Sequence, residues 1–344
     1  MKHNTFHTNK HLTFLFILLC CISLNSLANP KTSHDPLIFD DRPIAGQAQL
    51  PTWFKPNSLN LSNALNKAIK EGKSGIILYF GRKDCAYCKA LLNDNWGDPS
   101  IAKFTQKHFN VIAINTPGNR IITDFNNKKW SESDFASRHK THFTPSLLFY
   151  NKERQQVLKL PGYRPKYQFR AALEYVADSH YKHESFRKYL ALAEASFNFG
   201  SNKLNENDIF RQPPYNLNNL DEILVVFFEY PNCHACDILH GHTLNNFSIS
   251  AKLDQFYVVQ LNSHLETPII TPGGLKTTSK KWAEQLNLTF APSLIFFDKK
   301  GKEIIRIESV VQFHRLISVI NFINSGEYKK HKTFLDWMQS KKMN

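Results

Sequence analysis

Four of the six cysteines in this chain stand in two phrases of one pattern, Cys85-Ala86-Tyr87-Cys88 and Cys233-His234-Ala235-Cys236. Each phrase follows an unbroken apolar run, Ile76-Ile77-Leu78-Tyr79-Phe80 in one case and Ile223 through Phe228 in the other. A buried strand that runs into a helix at the first cysteine is the arrangement thiol–disulfide exchange requires. Free N–H groups and the helix dipole at that end favour a thiolate on the first sulfur, which is expected to be exposed. The second sulfur lies three residues on, about one helical turn away, within reach to close a disulfide.

Two other chemistries use this residue pattern, and neither fits. A zinc site would join two cysteine pairs within one small unit, about 15–20 residues apart. Here 144 residues, 89–232, separate the pairs. Haem attachment needs His directly after the second cysteine, and those places hold Lys89 and Asp237. No metal and no cofactor beyond the redox-active cysteine pairs is expected. Residues beside the thiols differ between the phrases. His234, when protonated, would stabilise a Cys233 thiolate and make that disulfide easier to reduce. In the first phrase Tyr87 offers a ring, Arg82 and Lys83 bring positive charge, and Asp84 works against a thiolate. His240 and His242 read as surface residues of the second motif's helix.

The elements that must position these cysteines are repeated. Phe109–Asn115 answers Phe256–Asn262, Phe143–Phe149 answers Phe290–Phe296, and Lys182–Leu190 answers Lys330–Met338, always 147 or 148 residues apart. Two copies of one domain stand in tandem. Within the first, Leu61–Lys70, Pro99–Lys107, Trp130–His139 with Ser131 as N-cap, and Lys166–Ala177 read as helices. Ile76–Phe80, Val111–Ile114, Ser146–Tyr150 and Gln156–Leu160 read as strands. The order βαβ then ββα predicts an α/β fold, a central mixed sheet with helices on both faces. Thr116–Lys129 and Ser263–Lys280 match no regular element.

The organisation expected is a signal peptide over 1–28, a loose leader over 29–60, domain one over 61–195, a linker over 196–219 and domain two over 220–344. Lys2 and Lys10 precede the apolar run Leu12–Leu24, and Ser26-Leu27-Ala28 offers small residues at both recognition positions of a cleavage site. The run is too short to favour a membrane span, and no stable span is expected after cleavage. Removing the signal takes Cys20 and Cys21 with it, so every remaining cysteine lies in a motif and none is left as a structural staple. The formal charge of +14 comes from dispersed lysines, without the basic runs interleaved with aromatics that would mark a nucleic-acid binder.

On these residues each copy resembles a thioredoxin-fold domain, and the tandem chain resembles the periplasmic SoxW-like and Dsb-like thiol–disulfide oxidoreductases. The resemblance rests on the strand–CxxC–helix and on a proline at the start of a later strand, and covers about Leu61–Leu190 and Leu220–Met338. It implies Cys85 and Cys233 as nucleophiles, Cys88 and Cys236 as resolving thiols, and Pro145 and Pro292 as cis prolines facing them. Thr144-Pro145 and Ala291-Pro292 would then offer backbone to an extended substrate segment by strand addition. The chain departs from thioredoxin where that family has a buried acid, because Tyr79 and Phe227 stand there, so proton transfer must use another group or water.

The function expected is an exported, periplasmic oxidoreductase that reduces disulfides in exported proteins. A DsbA-like oxidase carries a large helical insertion between motif and proline, and sixty residues leave no room for one. Electrons would come from a membrane donor of the DsbD type. A disulfide isomerase, or a non-enzymatic peptide-binding scaffold with incidental redox activity, is the alternative.

Overall fold

The computed structural model of the chain describes residues 35–46, 48–55, 57–195 and 203–343. The expected signal peptide, leader residues 29–34 and linker residues 196–202 lie outside the described residues. Copy one begins with α1 (Leu61–Lys70), β1 (Gly75–Gly81), α2 (Ala86–Ala90), α3 (Pro99–His108) and β2 (Phe109–Asn115). It continues with β3 (Ile121–Thr123), β4 (Lys129–Ser131), α4 (Glu132–Arg138), β5 (Ser146–Asn151), β6 (Gln156–Pro161), α5 (Lys166–Ala177) and α6 (Phe186–Ala195). Copy two opens with β7 (Tyr215–Asn216), β8 (Ile223–Glu229), α7 (His234–Ile238), α8 (Phe247–Leu253) and β9 (Phe256–Asn262). It closes with β10 (Pro268–Ile270), β11 (Lys276–Thr278), α9 (Ser279–Gln285), β12 (Ser293–Phe297), β13 (Glu303–Glu308), α10 (Phe313–Asn324) and α11 (Phe334–Met343).

The central sheets run β2-β1-β5-β6 and β9-β8-β12-β13. In each, the first pair is parallel and the other two are antiparallel, which gives the mixed α/β sheet expected. Alternation along the central strand divides its side chains between two helical layers. Ile77 and Tyr79 pack with Leu91, Ile101, Phe169 and Leu173 from the motif helix, α3 and α5. Ile76, Leu78 and Phe80 pack with Leu61, Leu65 and Phe135 from α1 and α4. With both faces covered, β1 is buried at every position, which is why its sequence is an apolar run rather than an alternation.

Four segments depart from the sequence expectation. The stretches Thr116–Lys129 and Ser263–Lys280 contain two-stranded hairpins, β3–β4 and β10–β11, too short to leave a clear periodic signal. The expected linker over 196–219 is not all linker: where copy one has α1, copy two has β7, which adds in parallel to β10. Pro213-Pro214 stands just before it and forbids a helix at that point. The leader is packed rather than loose from residue 35 onward: Leu37 and Phe54 are buried, and Phe39 meets the rings of Tyr87 and Tyr163 at 4.9 and 5.6 Å.

Residues from Asp35 onward cluster as one compact unit, and the two copies meet in it face to face. The contact is reciprocal. Phe334 on α11 packs on Phe143 of copy one at 5.2 Å, and its counterpart Phe186 on α6 packs on Phe290 of copy two at 5.7 Å. Equivalent residues meet each other between these contacts. Gly162 abuts Ser309 so closely that a Cβ at 162 would lie 2.2 Å from that of Ser309. Beside them the Val310 N–H donates to the Tyr163 carbonyl at 3.4 Å. Gly162 also holds φ of +74°, so space and backbone both require glycine. Arg164 donates to the Pro161 carbonyl at 2.8 Å and also to its counterpart, the Glu308 carbonyl. A contact in which i meets j and j's counterpart meets i's is the signature of a local two-fold axis.

Candidate active site

Each first cysteine is the N-cap of its motif helix, with extended backbone, and its Sγ accepts the N–H of the second cysteine, at 3.0 Å for Cys85 and 3.2 Å for Cys233. Cys85–Cys88 and Cys233–Cys236 are both disulfide-bonded, with Cα atoms 5.1 Å apart. The residue before each first cysteine is left-handed, Asp84 at φ 56° and Asn232 at φ 63°. Asp and Asn tolerate that region better than other side chains, so these two identities answer a backbone need rather than a charge need. After one turn both helices widen into π geometry, over Leu91–Asn95 and Leu239–Leu244.

The Thr144–Pro145 and Ala291–Pro292 bonds are cis. Thr144 lies against the first site, its Oγ1 3.3 Å from Cys85 Sγ. Phe143 and Phe290 precede these bonds at equivalent positions, and each carbonyl is tied down by the Ser146 or Ser293 hydroxyl at 2.6 Å. The first cysteines are not exposed as expected: Cys85 is 6% and Cys233 5% accessible. The opposite copy and the leader account for this. Arg315 of α10 lies 3.3 Å over the Tyr87 ring and donates to the Thr144 carbonyl at 2.9 Å. Arg164 lies 3.3 Å over the Phe290 ring. Cys233, Ala235 and Cys236 belong to the same apolar cluster as the core of copy one.

His234 pairs with the leader, Nε2 to Asp35 Oδ2 at 2.6 Å, and its imidazole is 44% exposed. Asp84 pairs with Arg82 at 3.3 Å. Burial holds the Tyr87 phenol well above its ordinary value, with the Arg315 charge working the other way. Burial also lowers the Arg315 guanidinium. The Tyr87 hydroxyl donates to Asp41 of the leader at 2.9 Å and accepts the Gln312 N–H at 2.8 Å. Among the described residues there is no cluster of His, Cys, Asp or Glu with metal-site geometry.

Sequence reasoning missed Arg315, Arg164, Asp35 and Asp41, whose partners lie in the other copy or across most of the chain. It also misplaced His240. That ring is buried, with Nε2 3.0 and 3.1 Å from the two oxygens of Glu229, a carboxylate at the end of β8 that is itself fully buried. Gln260 completes the group with a 2.7 Å bond to Glu229. Copy one has Gly81 and Leu92 at the equivalent positions. The pair left no signal in the sequence, since the burial of Glu229 and its approach to His240 are seen only in the fold.

No curated protein sequence matches the chain. Among solved structures, a thioredoxin-fold protein from Helicobacter pylori is 24% identical, over 36% of this chain and 85% of its own, with a TM-score of 0.32. A thioredoxin from Thermus thermophilus is 22% identical over 37% and 94%, with a TM-score of 0.29. The C-terminal domain of DsbD from Neisseria meningitidis is 14% identical over 29% and 80%, with a TM-score of 0.23. The Thioredoxin-like domain family matches twice, over residues 61–177 and 216–324. Those spans hold both motifs and most of both sheets, and so this chain, a tandem of two such domains, belongs to the thioredoxin-like family.

Proposed function

We propose that the chain is an exported thiol–disulfide oxidoreductase working in the reducing direction, with Cys85 and Cys233 as attacking sulfurs and Cys88 and Cys236 as resolving ones. The observation that carries this reading is the first cysteine at the helix start, with the second cysteine's N–H aimed at its sulfur in both copies. In the reduced form that N–H faces the thiolate, a charge-assisted bond roughly twice as strong as a neutral one. The thiolate attacks a substrate disulfide and forms a mixed disulfide while one substrate thiolate leaves. The resolving thiol, once deprotonated, attacks the bound sulfur of the first cysteine, closes the motif disulfide and releases the second substrate thiol.

The reducing direction is supported by what lies between motif and cis proline. In copy one, α3, β2, the β3–β4 hairpin and α4 fill the span, with no further helical insertion. Export is supported by the basic start, the apolar run Leu12–Leu24 and Ser26-Leu27-Ala28. An exported reductase needs electrons brought across the membrane, which makes a DsbD-type transporter the donor proposed. With a small model disulfide, Cys88→Ser should accumulate a mixed disulfide, read as the added RS mass in intact-protein mass spectrometry, and Cys85→Ser should not. Equal, low capture by the two variants would remove the assignment of roles.

A further inference from the structure

In both copies the loop that a polypeptide would add to as a strand is occupied by the other copy. Strand addition recognises a segment through backbone hydrogen bonds at the receiving edge. At the first site the Thr144 carbonyl already accepts Arg315 Nη2, Phe143 is under Phe334, and Thr144 and Phe143 are both buried. At the second, Phe290 is sandwiched by the Arg164 guanidinium and Phe186, and Ala291 is buried.

What remains open to Cys85 is a cavity of about 90 Å³, with Arg82, Phe143, Thr144, Arg315 and Met338 in its wall. Sites that enclose a drug-sized ligand run to about 300–1,000 Å³. The cleft can take one half of a small disulfide, whereas the Thr144 carbonyl that an extended chain would pair with is already bonded to Arg315.

We infer that the closed protein reduces low-molecular-weight disulfides at Cys85, and that extended polypeptide is excluded while α10 and α11 cover Thr144. This rests on the oxidoreductase reading above and narrows its substrate class. For a disulfide RS–SR, the Cys85 thiolate bonds to one sulfur and RS⁻ leaves to take a proton. The Cys88 thiolate then attacks Cys85, forming the Cys85–Cys88 bond and releasing the second RSH. Two electrons pass from the dithiol to RS–SR, giving two RSH, and a dithiol reductant restores the motif.

The test uses the full chain with Cys233 and Cys236 changed to Ser, dithiothreitol as reductant, and two substrates, 2-hydroxyethyl disulfide and insulin. The closed protein should favour the small disulfide in kcat/KM. Loosening the cover with Arg315→Ala or Phe334→Ala should move the insulin-to-small-disulfide ratio up by about tenfold, since each removes a charged hydrogen bond or an aromatic pair. A second measurement needs no further substitution. The reduced Cys85 should react with iodoacetamide at least about tenfold faster than with a 5 kDa polymer-linked maleimide, each rate taken relative to a free-cysteine peptide. Insulin turned over as readily as the small disulfide, with equal normalised labelling rates, would overturn the selectivity and leave the oxidoreductase reading standing. No turnover of either substrate, with no capture by Cys88→Ser, would sink the oxidoreductase reading and this inference with it.

Discussion

Asp84 and Asn232 show how one backbone requirement explains residues that look electrostatic. Both sit at positive φ directly before the first cysteine of a motif, where a branched side chain is strained by about 1–2 kcal/mol. Asn232→Val should therefore lower stability by roughly that amount, and Asn232→Gly should not, a difference measurable by urea unfolding. Glu229 and His240 are a second case at this scale. A buried carboxylate whose partner is removed loses more than a hydrogen bond, because the charge stays buried. His240→Ala should cost about 3–5 kcal/mol, and the double variant with Glu229→Gln should cost much less than the two single costs added. Additive costs would show that the pair is not coupled. The cysteines, the prolines and the residues of the apolar strands were legible in the sequence because each answers to its immediate neighbours. Glu229 was not, because nothing near it in sequence marks it as buried.

At the scale of elements, α10 is started by the leader. Its own N-cap residue, Gln312, makes no side-chain capping bond. The N–H groups of His314 and Arg315 go instead to Asp41 Oδ1 and Oδ2, at 2.8 and 2.7 Å, across more than 270 residues of chain. The carboxylate meets the positive end of the helix and fills the place of a local cap. Asp41→Ala should cost about 0.5–2 kcal/mol, and Asp41→Asn less, read as shifts in urea midpoint. Most helices and sheet strands could be placed from periodicity and caps alone, Ser131 at the start of α4 included. The packed leader, the edge hairpins and β7 could not, since each is held by partners distant in sequence rather than by a pattern of its own. The same distance hid Arg315 and Arg164 from a reading that followed each copy separately.

For the whole molecule the seam between copies should respond to pH. Glu194 on α6 accepts Tyr230 of copy two at 2.8 Å and Gln168 of copy one at 2.9 Å. Burial raises its carboxyl above the ordinary 4.5, against the pull of those bonds. A raised acid binds its proton more tightly folded than unfolded. Its contribution is thus complete below about pH 4.5 and is lost as pH rises through the elevated value. Glu194→Gln should remove that part of the decline, so the stability difference between variant and parent should change between about pH 4.5 and pH 7. A constant difference across that range would show that Glu194 does not titrate with folding.

The local two-fold at Gly162 and Ser309 has a consequence of another kind. In a dimer of identical chains every substitution lands on both sides of the axis at once, so a residue must suit both roles it plays. Joining the two copies in one chain lifts that condition. Gly162 faces Ser309 rather than a second glycine, Ala86 answers His234 and Tyr87 answers Ala235, and Arg315 stands where copy one has Gln168. The seam has the geometry of a symmetric pair and the composition of an unlike one, which leaves each thiol site free to be tuned alone.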